Sequence, residues 1–408
     1  MSSRPDRREV LRGASALAGL GLTAPWSAAQ EPRPARGSPL LVVVFLRGGA
    51  DFLNIVAPVG DELYRELRPT IGLGPEDGAL PLDDGFALHP ALAPLEPLWR
   101  EKRLAPVVCA GSPHDTRSHF SAQDFMERGA PGMPQVTTGW LNRYLAASAR
   151  RDASEFRAVA LQPLLPRSLR GEAPALAVAP EPERAPDEGT LGEFEDLYGG
   201  GAMEERREGE PDVIASGRVT IETLRRYRAI VEGAGDAKEA RYPRSRFALA
   251  LRTVAALQRA ECGLEVVALD YNGWDHHIRQ GGVEGQQARM LGDYAASLAA
   301  FCRDLGPRLE RTLVLTMTEF GRTVRENGNG GSDHGRGAGM LLLGGRVRGG
   351  RVHGAWKGLA EKHLEEGRDL PVTTDFRDVF ADCLAAHLDF DPPREFFPGH
   401  KPRATTLF

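Results

Sequence analysis

Cysteine, lysine and long apolar runs are all scarce in this chain of 408 residues. Its four cysteines, Cys109, Cys262, Cys302 and Cys383, show neither CxxC nor zinc-ribbon spacing, and each lies in an apolar or helical context. That spacing argues against a cysteine zinc site and favours buried small hydrophobes over a disulfide frame. Only 5 of the 51 basic residues are lysine, and the formal net charge is −5. An acidic balance excludes the basic face that a nucleic-acid partner requires. No later run approaches the ~18 apolar residues of a membrane span, so the mature chain is expected to have no transmembrane segment. What is present, 41% hydrophobic and 26% charged residues, suffices for a large core.

Residues 1–29 read as a leader and not as part of the fold. Arg7-Arg8-Glu9-Val10-Leu11-Arg12 precedes an uncharged Ala/Gly/Leu run, and Ser27-Ala28-Ala29 offers a small-x-small cleavage site. The paired arginines resemble a twin-arginine export signal, which implies the twin-arginine machinery as a partner and a periplasmic or extracellular location. Residues 30–408 read as one domain.

Within it, the stretch 264–353 organises the rest. Two apolar runs of strand length, 264–270 and 312–318, are each followed by carboxylates and imidazoles. This pattern predicts that those side chains lie at the carboxyl ends of neighbouring strands, the edge where open α/β sheets bind ligands. Further strands are predicted at 40–46, apolar on both faces as a central parallel strand should be, and at 104–110, 158–161, 176–179 and 340–343. Helices are predicted at 92–101, 218–232, 245–261, 286–308 and 375–388. Residues 181–212, dominated by Glu, Arg, Gly and Pro, read as a polar surface insertion with little to bury. The alternation implies an α/β fold: a mostly parallel central sheet with helices on both faces.

Seven residues after strands or in glycine-rich loops suit cation ligation: Asp51, Asp275, His277, Glu319, Asp333, His334 and His353. Mixed imidazole and carboxylate donors favour zinc, in one or two sites, over calcium, magnesium or manganese. Asp51 is expected to converge with the Asp275 and Asp333 neighbourhoods, although an Asp after Gly-Gly is also a common turn or cap residue. Ser118 opens a helix and reads equally as a nucleophile or as an N-cap, with His119 and Thr116 as alternatives for the chemistry. Arg117, Arg322 and Arg336 are candidates to clamp an anionic substrate, as His119 is to contact it.

Together with the leader, Phe45-Leu46-Arg47-Gly48-Gly49-Ala50-Asp51, Arg117-Ser118-His119-Phe120, Gly273-Trp274-Asp275-His276-His277, Thr318-Glu319-Phe320-Gly321-Arg322, Ser332-Asp333-His334-Gly335 and Thr373-Thr374-Asp375-Phe376-Arg377 resemble one exported bacterial family, domain-of-unknown-function family 1501. That family is grouped with the alkaline phosphatase-like and sulfatase-like superfamily. The resemblance implies an alkaline phosphatase-like fold. It also implies a first metal set of Asp51, Asp333, His334 and the nucleophile Ser118, and a second of Asp275, His277 and His353. The spacing departs from the superfamily: Asp275 and His277 are two residues apart, not a helical turn, and Glu319 stands where the Asp-His pair normally follows its strand. The expected activity is metal-dependent hydrolysis of phosphate or sulfate esters, on a small or polymeric anionic substrate. The rivals are a non-catalytic metal- or ligand-binding envelope protein on the same scaffold, and a metal-independent structural protein.

Overall fold

The computed structural model describes residues 38–149, 153–181, 186–199, 213–234 and 240–408. The expected leader, residues 1–29, and much of the expected insertion lie outside the described residues.

Eight strands form one sheet: β1 (Leu40–Arg47), β2 (Leu104–Gly111), β3 (Ala158–Ala160), β4 (Leu176–Ala177), β5 (Val266–Asn272), β6 (Thr312–Met317), β7 (Ala338–Gly344) and β8 (Thr374–Asp375). Their spatial order is β8-β2-β7-β6-β1-β5-β3-β4. Among the described residues of this sheet only β7 runs against its neighbours; its other pairings are parallel. The sheet is therefore mixed but mostly parallel, as the sequence predicts. One expectation is corrected. β5 and β6 are not neighbours, because β1 lies between them and pairs with both. A right-handed crossover can skip a position, and sequence periodicity carries no information about that.

The apolar octet of β1 occupies the centre because both of its faces are covered. Leu40, Val42, Val44 and Leu46 face α4 (Val213–Gly233), α5 (Arg246–Arg259) and α6 (Gln286–Leu305) through Leu224, Leu251 and Leu298. Leu41, Val43 and Phe45 face the opposite layer, where α2 (Trp140–Ala147) and α7 (Phe376–Asp382) supply a Trp140–Phe380 stack with centroids 4.2 Å apart. Two periodicities meet here: period two along the strand, and i, i+3/i+4 along the helices. All four cysteines are buried and unbridged. Among the described residues no helix is long and apolar enough to cross a membrane.

The polar stretch is corrected in part. It contains a helix, α3 (Glu188–Gly199), whose Leu191 is fully buried in the core beside α4. A single apolar residue per turn is enough to dock a helix that composition alone assigns to the surface.

One buried histidine sets an acid limit on the fold. His387, just past α7, donates from Nε2 to the Leu40 carbonyl at the start of β1 (2.9 Å), and burial lowers its pKa to about 4. In the unfolded chain the same group takes up a proton near 6.5. The unfolded state thus binds more protons at this group between these values, so the stability that neutral His387 contributes is complete above about 6.5 and is lost as pH falls towards 4. His387→Gln, which keeps a donor for Leu40, should remove about 3 kcal/mol of that acid loss. Urea unfolding from pH 7 to 4 measures it; an unchanged pH slope in the variant would refute the assignment.

Candidate metal centre

Because β1, β5 and β6 are mutually parallel, the segments that follow them leave the sheet at one edge. Trp274 N–H donates to the Arg47 carbonyl, binding the turn after β5 to the end of β1. Gly48, at φ +123°, is the residue this approach requires: a Cβ there would lie 2.6 Å from the Asp275 nitrogen. Arg322, in the turn after β6, is fully buried beneath both. Its guanidinium donates to the carbonyls of Gly48, Gly49 and Ser332 and to Asp275 Oδ1 (2.6 Å). Arg322 therefore fixes Asp275 and is not available to a substrate.

Around Asp275 stand three imidazoles. His119 opens α1 (His119–Arg128), His277 follows two residues after Asp275, and His334 comes from the glycine-rich loop before β7. Ligand atoms of His119, Asp275 and His334 all lie within 4.8 Å of one another. His277 Nε2 is 3.0 Å from His334 Nε2 and 3.1 Å from Asp275 Oδ1. His119 Nε2 is 3.4 Å from Asp275 Oδ2 and has no hydrogen-bond partner.

The other nitrogen of each ring is already engaged. His119 Nδ1 lies 2.8 Å from Glu319 Oε1, His277 Nδ1 3.0 Å from Asp333 Oδ1, and His334 Nδ1 2.9 Å from the Arg117 carbonyl. A carbonyl or ionised carboxylate only accepts, so each Nδ1 carries the proton and each neutral ring turns an Nε2 lone pair inward. Facing lone pairs at 3.0 Å are repulsive unless a cation or a proton lies between them. Imidazoles held this way by outer carboxylates and carbonyls are the pattern of metal ligation.

The electrostatics agree with this arrangement. Burial alone would raise Asp275, but the Arg322 guanidinium and the His277 and His119 imidazoles hold it below the ordinary carboxylate range. Glu319 is fully buried; the penalty of burial is outweighed by hydrogen bonds from His119, Gln123 and backbone N–H groups, so it too is lowered. Asp333 is lowered first by Asn327 and then by His277. The hydrogen bond to Glu319 raises His119, whereas burial lowers His334.

The structure thus places Asp275, His277, His334 and His119 together, with Glu319 and Asp333 behind the imidazoles as their acceptors. The division into two sets implied by the family resemblance does not appear, because Asp275 and His334 share one cluster. Two expected ligands lie elsewhere. Asp51 is buried against Arg68 NH1 (2.5 Å) and Gln280 Nε2 (2.6 Å). His353 joins the edge of β2 and bonds Thr406 Oγ1 and the Arg348 carbonyl. Ser118 is exposed at the N-cap position of α1, and its side chain makes no capping bond. Of the remaining arginines, Arg117 pairs with Asp369 and Glu366, and Arg336 with Glu365.

Sequence reasoning missed Gln123, whose Nε2 donates to Glu319 (2.8 Å). The signal was present: His119 and Gln123 are four apart and share a helix face. Arg279, two residues beyond His277, is exposed at φ +50° and has no ion pair to any described residue.

A mostly parallel α/β sheet bearing an imidazole–carboxylate cluster at its carboxyl edge defines the class. Within it, the chain belongs to the family described as "Protein of unknown function (DUF1501)", which matches residues 103–403. No curated protein matches the chain. Several solved structures overlap it loosely. One is a protein in the alkaline phosphatase superfamily from Vibrio parahaemolyticus, at 10% identity over 86% of this chain and 71% of that one, with a TM-score of 0.33. Another is Ps i-CgsB in complex with k-i-k-neocarrahexaose, at 11% identity over 91% and 75%, with a TM-score of 0.36. A mutant of the alkaline phosphatase PafA overlaps at 10% identity over 73% and 64%, with a TM-score of 0.33. Overlaps at this level leave the chemistry to the side chains.

Proposed function

We propose that this chain is an exported, metal-dependent hydrolase of phosphate or sulfate esters. The observation that carries the reading is the convergence of three Nε2 atoms on Asp275, each ring being held by an acceptor on its far side. Three imidazoles and a carboxylate suit zinc or another borderline transition metal better than magnesium or calcium. The Asp275 side chain is 45% exposed, so the cluster opens to solvent, as a catalytic centre must and a closed structural one does not. A divalent cation held there supplies Lewis-acid polarisation of the ester's anionic oxygens.

The protein's own groups divide the remaining work. Glu319 and Asp333 keep the protons of His119 and His277 on Nδ1. Arg322 holds Asp275 in its rotamer. Arg279, exposed two residues past His277 and without an ion pair to any described residue, is the candidate to meet an anionic oxygen of the ester, in place of the three committed arginines. Ser118, beside His119 with its hydroxyl uncommitted to a cap, is the candidate nucleophile; without it, water attacks. The leader-like pattern of residues 1–29 supports twin-arginine export to the periplasm or the medium.

Purified protein is expected to carry metal and to turn over p-nitrophenyl phosphate or p-nitrophenyl sulfate, with chelation lowering the rate by roughly 100-fold or more. The internal pairing of Arg117, Arg322 and Arg336 favours a second reading, a metal-binding protein without turnover. Bound metal with no hydrolysis of either ester selects that reading.

A further inference from the structure

Among the described residues only three large apolar side chains are strongly exposed: Phe120 (90%), Leu164 (67%) and Ile278 (58%). Their positions are not scattered. Phe120 immediately follows His119, and Ile278 immediately follows His277. The His119 and His277 rings lie on His334 at centroid distances of 4.4 and 4.7 Å. Consecutive Cα atoms are about 3.8 Å apart, so Phe120 and Ile278 are anchored on the surface next to two members of the cluster. Leu164 follows β3, whose carboxyl end points to the same edge of the sheet, and lines a cleft of about 510 Å³ with Leu161, Pro180, Phe247 and Tyr271.

Single exposed hydrophobes need no explanation, but a surface whose exposed large apolar groups all collect at its ligand-binding edge does. Three charged groups of the cleft are engaged, Asp270 with Arg47, Asp293 with the Tyr271 hydroxyl and Arg246 with Glu181, while Gln162 Oε1 is buried without a partner. Beyond the cluster, Arg279 and Gln162, what this edge offers a ligand is chiefly apolar contact.

We infer that the ester handled at this centre has an apolar alcohol half, aryl or alkyl, which packs on Phe120 and Ile278 while its anionic half faces the cluster. This rests on the ester-hydrolase reading and specifies its substrate class. Phe120 and Ile278 are then specificity-determining residues: they discriminate among esters that share one head group. A sugar or other strongly hydrated alcohol gains nothing from them.

Calorimetric titration of the zinc-loaded protein with phenylphosphonate and with methylphosphonate tests this without turnover. Both probes share the phosphonate head and differ in the apolar group. The expected result is about tenfold tighter binding of phenylphosphonate, with the preference falling towards unity in Phe120→Ser/Ile278→Ser and zinc content remaining at the wild-type value. Equal affinities in the wild type would overturn the inference while leaving the hydrolase reading intact. Binding of neither phosphonate would remove the hydrolase reading, and the inference with it. If the double variant keeps the phenyl preference but loses binding to phosphatidylcholine vesicles, the two side chains dock on a lipid surface and the inference is wrong.

Discussion

Replacing His334 by alanine should leave a folded protein that no longer retains its metal through dialysis. His334 faces every other member, as Asp275 does: its Nε2 lies 3.0 Å from His277 Nε2 and 3.3 Å from Asp275 Oδ1, and its ring packs edge-on against His119. Removing it deletes one of the three inward Nε2 donors and leaves only His119 and His277 beside Asp275. Glu319→Gln should cost less, about 10- to 100-fold in affinity, because it keeps an oxygen to accept from His119 Nδ1 and removes only the charge that strengthens that bond. The ranking His334→Ala above Glu319→Gln distinguishes a metal centre from a hydrogen-bonded cluster, which would hold no metal in either protein. Ligands must be deprotonated, so affinity should also fall with pH. Because Glu319 raises His119 above the ordinary imidazole value, proton competition should begin on the alkaline side of 6.5. Elemental analysis and chelator competition from pH 8 to 6 measure both effects. Full metal retention by His334→Ala would exclude the cluster as the site.

The strands were legible because a parallel sheet buries both faces of β1, β5 and β6 and so leaves uninterrupted apolar runs. Their order was not, since β1 enters between β5 and β6 from more than 200 residues away. Most of the cluster was legible for a related reason: parallel strands deliver the residues after them to one edge, and those residues were Asp275, His277, Glu319 and, through a loop, His334. The division of labour was hidden. Whether Glu319 meets a metal or the back of an imidazole depends on the depth of its strand end, and it is fully buried. His119 appeared as a substrate contact because nothing local tells which nitrogen of a ring points inward. His353 has the residue type of a ligand but lies at the edge of β2. Arg322 has the residue type of a substrate clamp, but its burial makes it a support for Asp275.

Asp51 gives the sharpest divergence between residue type and place, and it predicts a loss of stability, not of metal. The Asp51 carboxylate is buried beside an Arg68 guanidinium that is itself fully buried, with Oδ2 accepting from Arg68 NH1 and Gln280 Nε2. Arg68 also donates to the Thr323 and Val324 carbonyls (2.8 Å each), and Ser332 Oγ donates to Gln280 Oε1 (2.9 Å). Asp51 thereby ties the end of β1 to both ends of the loop that carries Asp333 and His334. Asp51→Ala leaves the guanidinium without a counter-charge in the interior, which costs about 3–5 kcal/mol. Asp51→Ala/Arg68→Met removes both charges and should recover a large part of that loss, because two buried charges deleted together strand neither. Oδ1 of Asp51 is buried without a partner, so a role as ligand has a definite signature of its own: metal lost from Asp51→Ala and not regained in the double variant. Denaturant unfolding and metal content, measured on the same three proteins, separate the two roles. A stable, metal-free Asp51→Ala would make Asp51 a ligand after all.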